Sequence, residues 1–176
     1  MNALVAGFFS VAVLAAMSPL HAQEQPEAVD ICALLSNPAA YHHRLVRVGG
    51  RVSRGFEDFT IHGESCADAF PLWLEYGGPR PAEVVYCCAG EQAHPPNGKD
   101  PLWIDGIQTS LVRDRALRRF DSLLGETGEA QATLIGRVFA EGVYTSDSGE
   151  DFRVGYGHFG IFSLFVIERV LEVQRQ

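Results

Sequence analysis

The sequence predicts a mainly β domain: five core strands curved into a small β-barrel, with two short helices and an insertion at 77–110. Three observations point there. Arg44 to Gly55, RLVRVGGRVSRG, sets Val46, Val48 and Val52 against Arg47 and Arg51, and places Gly49-Gly50 where a half-buried strand bends. Ala130 to Val143, AQATLIGRVFAEGV, reads as a second long strand whose Gly136-Arg137-Val138 repeats Gly50-Arg51-Val52. The segments around these two give the order strand, strand, strand, helix, strand, strand.

Taken from the start, residues 1–22 read as a signal peptide. Ala3 to Met17 is nearly all apolar or small, Pro19 follows, and Leu20-His21-Ala22 before Gln23 resembles a cleavage site. The apolar run falls short of the ~20 residues of a bilayer span, and no cysteine stands where a lipid anchor needs one. The expectation is a periplasmic or secreted chain without a transmembrane segment in its mature form. Cleavage after Ala22 removes no charged side chain, so the net charge of −8 stays with the mature part. That acidity argues against sequence-independent nucleic-acid binding, which needs Lys and Arg to displace counterions.

Residues 23–28, with Pro26, read as a flexible arm, and 29–176 as a single domain. Ile31, Leu34 and Leu35 share a helical face that ends at Ser36-Asn37-Pro38. After the first long strand, Phe59-Thr60-Ile61 returns as a second and Pro71 to Tyr76, PLWLEY, alternates as a third. Gly77 to Asp100 is rich in Gly and Pro. Pro101 to Gly106, PLWIDG, echoes PLWLEY and suggests a strand of similar environment. Leu111 to Leu124 reads as a helix striped by Val112, Ala116, Phe120 and Leu123, capped by Thr109 or Ser110 and ended by Gly125. Thr145 to Gly160 is a polar, Gly-rich hairpin loop, and Ile161 to Val173 a fifth strand. In a barrel of the OB type the first and fourth strands are neighbours and both bend. The repeated Gly-Arg-Val fits that pairing.

The run SNPAAYHHRLVRVGGRV, followed by GFEDFTIHGESC and PLWLEYGG, resembles uncharacterised secreted bacterial proteins of OB-like fold. The likeness covers mainly Val29 to Gly78, with support from GYGHFGIFSLFVIERV; small periplasmic OB-fold proteins are similar at a greater distance. The resemblance implies fold and compartment and supplies no catalytic residue.

Cys32, Cys66, Cys87 and Cys88 form an even set in a chain expected to be exported, which favours disulfides. Adjacent Cys87 and Cys88 would make a strained ring together, so bridges from that pair to Cys66 and Cys32 are expected. The metal alternative uses Cys66, Cys87, Cys88 and His94, but lacks the spaced pairs of structural zinc sites; no metal or cofactor is expected. Trp73, Tyr76, Trp103 and Tyr86 offer an aromatic surface for ligand stacking, although core packing is their default. Tyr156 and His158 lie in a glycine-flanked loop suited to rim a pocket. Arg113, Arg115, Arg118 and Arg119 form a basic cluster for docking to an anionic partner, with Asp114 and Asp121 spaced to pair with Arg118 instead. His42, His43, His62, His94 and His158 stand in no recognisable relation to a nucleophile. The expected function is a non-enzymatic binding module for a protein or small ligand of the cell envelope. The rivals are a small envelope enzyme using Glu75, Asp105 and His158, and a metal-stabilised structural domain.

Overall fold

A computed structural model describes residues 24–79 and 100–175. The chain is mainly β, with 42% of residues in strands and two α-helices. In order, the elements are β1 (Glu27–Ala28), α1 (Ile31–Ser36), β2 (Leu45–Arg54), β3 (Phe59–His62), β4 (Leu72–Tyr76), β5 (Trp103–Ile104), β6 (Ile107–Gln108), α2 (Arg115–Leu124), β7 (Gly128–Phe139), β8 (Gly142–Thr145), β9 (Asp151–Val154) and β10 (Leu164–Gln174).

The main sheet runs β1-β2-β3-β4-β10-β7, and a further pairing of β7 with β2 closes it into a ring. That closing ladder is antiparallel from Leu45 opposite Arg137 to Arg54 opposite Gly128. It joins the two glycine-bearing strands singled out by their shared Gly-Arg-Val. Residues Val46, Val48, Gly50 and Val52 of β2 and Ala130, Ala132, Leu134, Gly136 and Val138 of β7 turn inward and are buried. Alternation of period two therefore fixes the register, because a one-residue slip would expose every valine. Two inward glycines are needed where strands crowd. A Cβ on Gly50 would lie 2.7 Å from the His62 carbonyl oxygen, and one on Gly136 2.4 Å from Cε1 of Phe165. β4 and β10 pair in parallel, with Leu164 opposite Trp73 and Ile167 opposite Tyr76.

The ring interior holds Val46, Val48, Ile61, Leu72, Leu74, Tyr76, Leu134, Phe165 and Ile167, with Leu34 and Leu35 of α1 and Leu117, Phe120 and Leu124 of α2 packed onto it. Burying each such large side chain contributes about 1.5–3 kcal/mol. A second, smaller cluster lies on the opposite face of β4 and β10, where Trp73, Leu164 and Val166 meet Leu102, Ile104, Phe139 and Tyr156.

Several expectations are corrected. Cys66 pairs with Cys32, not with Cys87 or Cys88, which lie outside the described residues. The turn at Glu64–Cys66 after β3 sets Cys66 beside the start of α1, with a Cα–Cα distance of 5.7 Å. The segment expected as a free arm is tied down over residues 24–28: β1 pairs with β2, and Glu24 accepts from Arg137 and the Leu45 amide. The second helix starts at Arg115, capped by the Asp114 carboxylate accepting from the Leu117 amide rather than by Thr109 or Ser110. Thr109 is instead buried, its hydroxyl donating to the Leu102 carbonyl. β5 does not share the setting of β4: it makes a separate two-stranded hairpin with β6, so Trp73 is buried and Trp103 is 52% exposed. The fourth ring strand ends at Phe139, and Gly142 opens the β8–β9 hairpin.

Candidate functional site

Two adjacent histidines and an aspartate from a distant hairpin form one cluster. His42 and His43 follow the turn at Pro38–Tyr41 and are held against the end of β7: the His43 amide donates to the Val138 carbonyl, and the Ala140 amide donates to Nδ1 of His42 at 3.0 Å. His43 has φ of 63°, in the left-handed region that His visits more readily than most residues. Successive side chains of an extended chain point to opposite sides; this φ departs from the extended conformation, and the two imidazoles lie side by side, 3.7 Å apart between centroids and tilted by 31°. Asp105 and Gly106, both at positive φ, are the two-residue turn between β5 and β6, as an Asp-Gly hairpin requires. That hairpin is anchored by Leu102 and Ile104 in the second cluster, which fixes Asp105 in space. Nε2 of His43 lies 3.0 Å and Nε2 of His42 4.0 Å from Asp105 Oδ2. Burial lowers the His42 pKa, the neighbouring His43 lowers it further, and Asp105 opposes both.

At another place two turns meet. Gly55 to Asp58 joins β2 to β3, and His158–Gly160 lies in the connection between β7 and β10. Oε2 of Glu57 approaches Nδ1 of His158 at 3.7 Å. Beside each of these residues stands an exposed phenylalanine: Phe56 is 75% and Phe159 84% exposed. Phe159 also holds φ of 63°, an uncommon conformation for a bulky residue that costs about 1–3 kcal/mol. The turn rests on Trp73, because a Cβ on Gly157 would stand 2.4 Å from the indole ring.

The arginines of α2 form the third feature. Arg113, Arg115, Arg118 and Arg119 are all exposed. The acids spaced to neutralise Arg118 are engaged elsewhere: Asp114 caps the helix and lies 3.9 Å from Arg169, and Asp121 accepts from the Tyr76 hydroxyl at 2.7 Å. Arg115 and Arg119 flank a groove of about 520 Å³ whose other wall is Leu171 to Gln174 of β10.

The proposed ligand-stacking set does not make one surface. Of that set, Tyr76 is fully buried inside the ring, Trp73 is buried in the second cluster and Trp103 is exposed; Tyr86 lies outside the described residues, as does His94. Tyr156, expected to rim a pocket, is buried in the second cluster as well. Glu75, Asp105 and His158 have different surroundings. Glu75 is buried in β4 with Oε1 accepting the Tyr76 amide, Asp105 faces the histidine pair, and His158 faces Glu57. Sequence reasoning missed His42 and His43 as a unit. The paired histidines were visible before the strand, but the 62 residues separating His43 from Asp105 hid their partner. Among the described residues no helix is long and apolar enough to cross a membrane. In comparisons with known proteins, the chain matches no family model, no curated protein and no solved structure.

Proposed function

We propose that the chain is an exported, OB-like barrel that binds a protein or small ligand at the rim formed by the Gly55–Asp58 and His158–Gly160 turns. The observation that carries this reading is the pair of exposed rings, Phe56 and Phe159, on turns joined by Glu57 and His158. Exposing two large apolar rings, one on a strained backbone, gains nothing for folding. A ligand with an apolar or planar face gives them a use. The ring order supports the architectural part: the first and fourth strands are neighbours, and α2 falls between the third and fourth. OB folds hold ligands with the loops joining strands one to two and four to five, and Phe56 and Phe159 occupy those two connections. The leader pattern, the likeness to secreted OB-like proteins and the Cys32–Cys66 pair support export.

A nuclear magnetic resonance screen against short peptides, saccharides and aromatic acids tests the rim. Hits are expected to shift amides 55–58 and 157–160 and to vanish in Phe56→Ser/Phe159→Ser. Hits that survive that double change would sink the reading. A second reading, docking of α2 on an anionic partner, is favoured by four exposed arginines without an ion-pair partner among the described residues. Arg115→Glu/Arg119→Glu should abolish salt-sensitive binding to vesicles containing phosphatidylglycerol, and unchanged binding would remove it. The enzyme alternative has less support, since Glu75, Asp105 and His158 face separate partners.

A further inference from the structure

We propose that His42, His43 and Asp105 form a binding site for a divalent transition-metal ion such as Zn²⁺, which fastens the β5–β6 hairpin to the end of β7. The three side chains offer two imidazole nitrogens and one carboxylate oxygen, the donor set that suits zinc, and their ligand atoms lie within 4.8 Å of one another. Two donors each about 2.0–2.1 Å from a tetrahedral ion stand about 3.3 Å apart. The separations to Asp105 Oδ2, 3.0 Å from His43 and 4.0 Å from His42, bracket that value. With all three ligand atoms within 4.8 Å of one another, the widest pair exceeds that spacing by at most about 1.5 Å, and side-chain adjustments of that order close the site.

Both backbone segments are held independently of the ion. The His43 amide is bonded to the Val138 carbonyl at the end of β7, and the hairpin is pinned by Leu102 and Ile104. Such preorganisation reduces the ordering that metal binding must supply. The left-handed His43 backbone has a role here, because it departs from the alternation that would part the two imidazoles. With three protein donors the fourth position faces solvent, since His42 and Asp105 are exposed. One feature of the hydrogen bonding marks the loaded state. Nδ1 of His42 accepts the Ala140 amide, so its neutral ring carries the proton on Nε2. Coordination through Nε2 sends that proton to Nδ1 and opens the Ala140 contact, which makes the Ala140 amide a direct reporter of binding.

The experiment titrates Zn²⁺ into untagged, chelator-treated protein, following heat by calorimetry and amides by nuclear magnetic resonance. One ion per chain is expected, with shifts concentrated at 42–44, 104–106 and Ala140, and a raised melting temperature. Asp105→Asn keeps a residue that favours the hairpin turn, and His43→Gly keeps the positive φ accessible. Each should weaken binding about tenfold or more, while leaving the metal-free melting curve near that of the wild type. His62→Gln, on β3 and outside the cluster, should bind as the wild type does and tests whether any histidine suffices. Affinity unchanged in Asp105→Asn or His43→Gly, shifts that avoid Ala140, or no heat at millimolar Zn²⁺ each overturns the proposal.

Discussion

Gly136 lies directly against the ring of Phe165: a Cβ at this glycine would stand 2.4 Å from Cε1 and 2.3 Å from the Val166 carbonyl oxygen. No real Cβ occupies such a position, so Gly136→Ala must move either an aromatic ring of the core or the β10 backbone. Overpacking of this kind costs about 1–3 kcal/mol, and the backbone contact puts Gly136 at the upper end. Gly49 is the contrast. Its Cβ would face outward with nothing nearer than 3.8 Å, and Gly49→Ala restricts the unfolded chain, so it should leave stability unchanged or raise it by about 0.4–1 kcal/mol. Urea unfolding of the two variants checks the pair; equal midpoints would refute the asymmetry.

Tyr76 and Asp121 connect the ring interior to α2. The hydroxyl of a fully buried tyrosine donates to Oδ1 of Asp121 at 2.7 Å, so Tyr76→Phe deletes a charge-assisted bond while leaving the ring in the core. The expected loss is about 1.5–3 kcal/mol. Because the bond spans two elements, amide exchange in α2 should accelerate more than exchange in β2. Uniform acceleration throughout the protein would show that the bond does not hold α2 locally.

The two long strands were legible because each carries its own evidence. Val46, Val48 and Val52 alternate with Arg47 and Arg51, and only one register buries them. Gly50 and Gly136 read as places where the two strands bend, whereas the crowding that requires them comes from His62 and Phe165 on neighbouring strands. The sites were less legible because they depend on long-range placement. PLWIDG and PLWLEY share a pattern, yet Trp73 lies in a ring strand with a covered outer face while Trp103 lies in a two-residue strand ended by an Asp-Gly turn. The turn signal was present in Asp105-Gly106 and outweighs the resemblance to Leu72–Tyr76. Asp114 illustrates another competition: spacing offered it to Arg118, but an aspartate beside the first helical residue satisfies backbone amides, and capping won. The disulfide followed from none of this. The position of Cys32 against Cys66 is set by α1 docking beside β3, which no spacing rule encodes.

The Cys32–Cys66 bridge closes a loop with a sequence separation of 34. On the chain-entropy relation, a loop of that length stabilises the fold by about 4 kcal/mol. The double change Cys32→Ala/Cys66→Ala should lower the denaturation midpoint accordingly, with the strands retained in far-ultraviolet circular dichroism. Peptide mapping without reductant should recover Cys32 and Cys66 in one linked fragment. Recovery of Cys66 joined to Cys87 or Cys88 instead would contradict the structure.

His62 and Glu168 bias stability against pH in opposite senses. Burial lowers the His62 pKa below its ordinary 6.5, and Arg51 lowers it further against weaker opposition from Asp58 and Glu129. The fold thus favours the neutral ring, and the stability tied to it is present above pH 6.5 and is lost as pH falls through the folded value. Burial raises the Glu168 pKa above its ordinary 4.5, with Arg137 and the Ser110 hydroxyl pulling the other way. Its protonated form is favoured in the fold, so that contribution is complete below 4.5 and declines as pH rises through the folded value. His62→Gln should therefore flatten the loss of stability between neutral pH and pH 5, whereas Glu168→Gln should flatten the decline that begins above pH 4.5. Denaturation midpoints measured at half-unit steps from pH 4 to 8 distinguish the two, because each variant alters one arm of the profile and leaves the other in place. Profiles of wild type and His62→Gln that run parallel from pH 7 to 5 would mean that the burial of this ring does not govern its protonation.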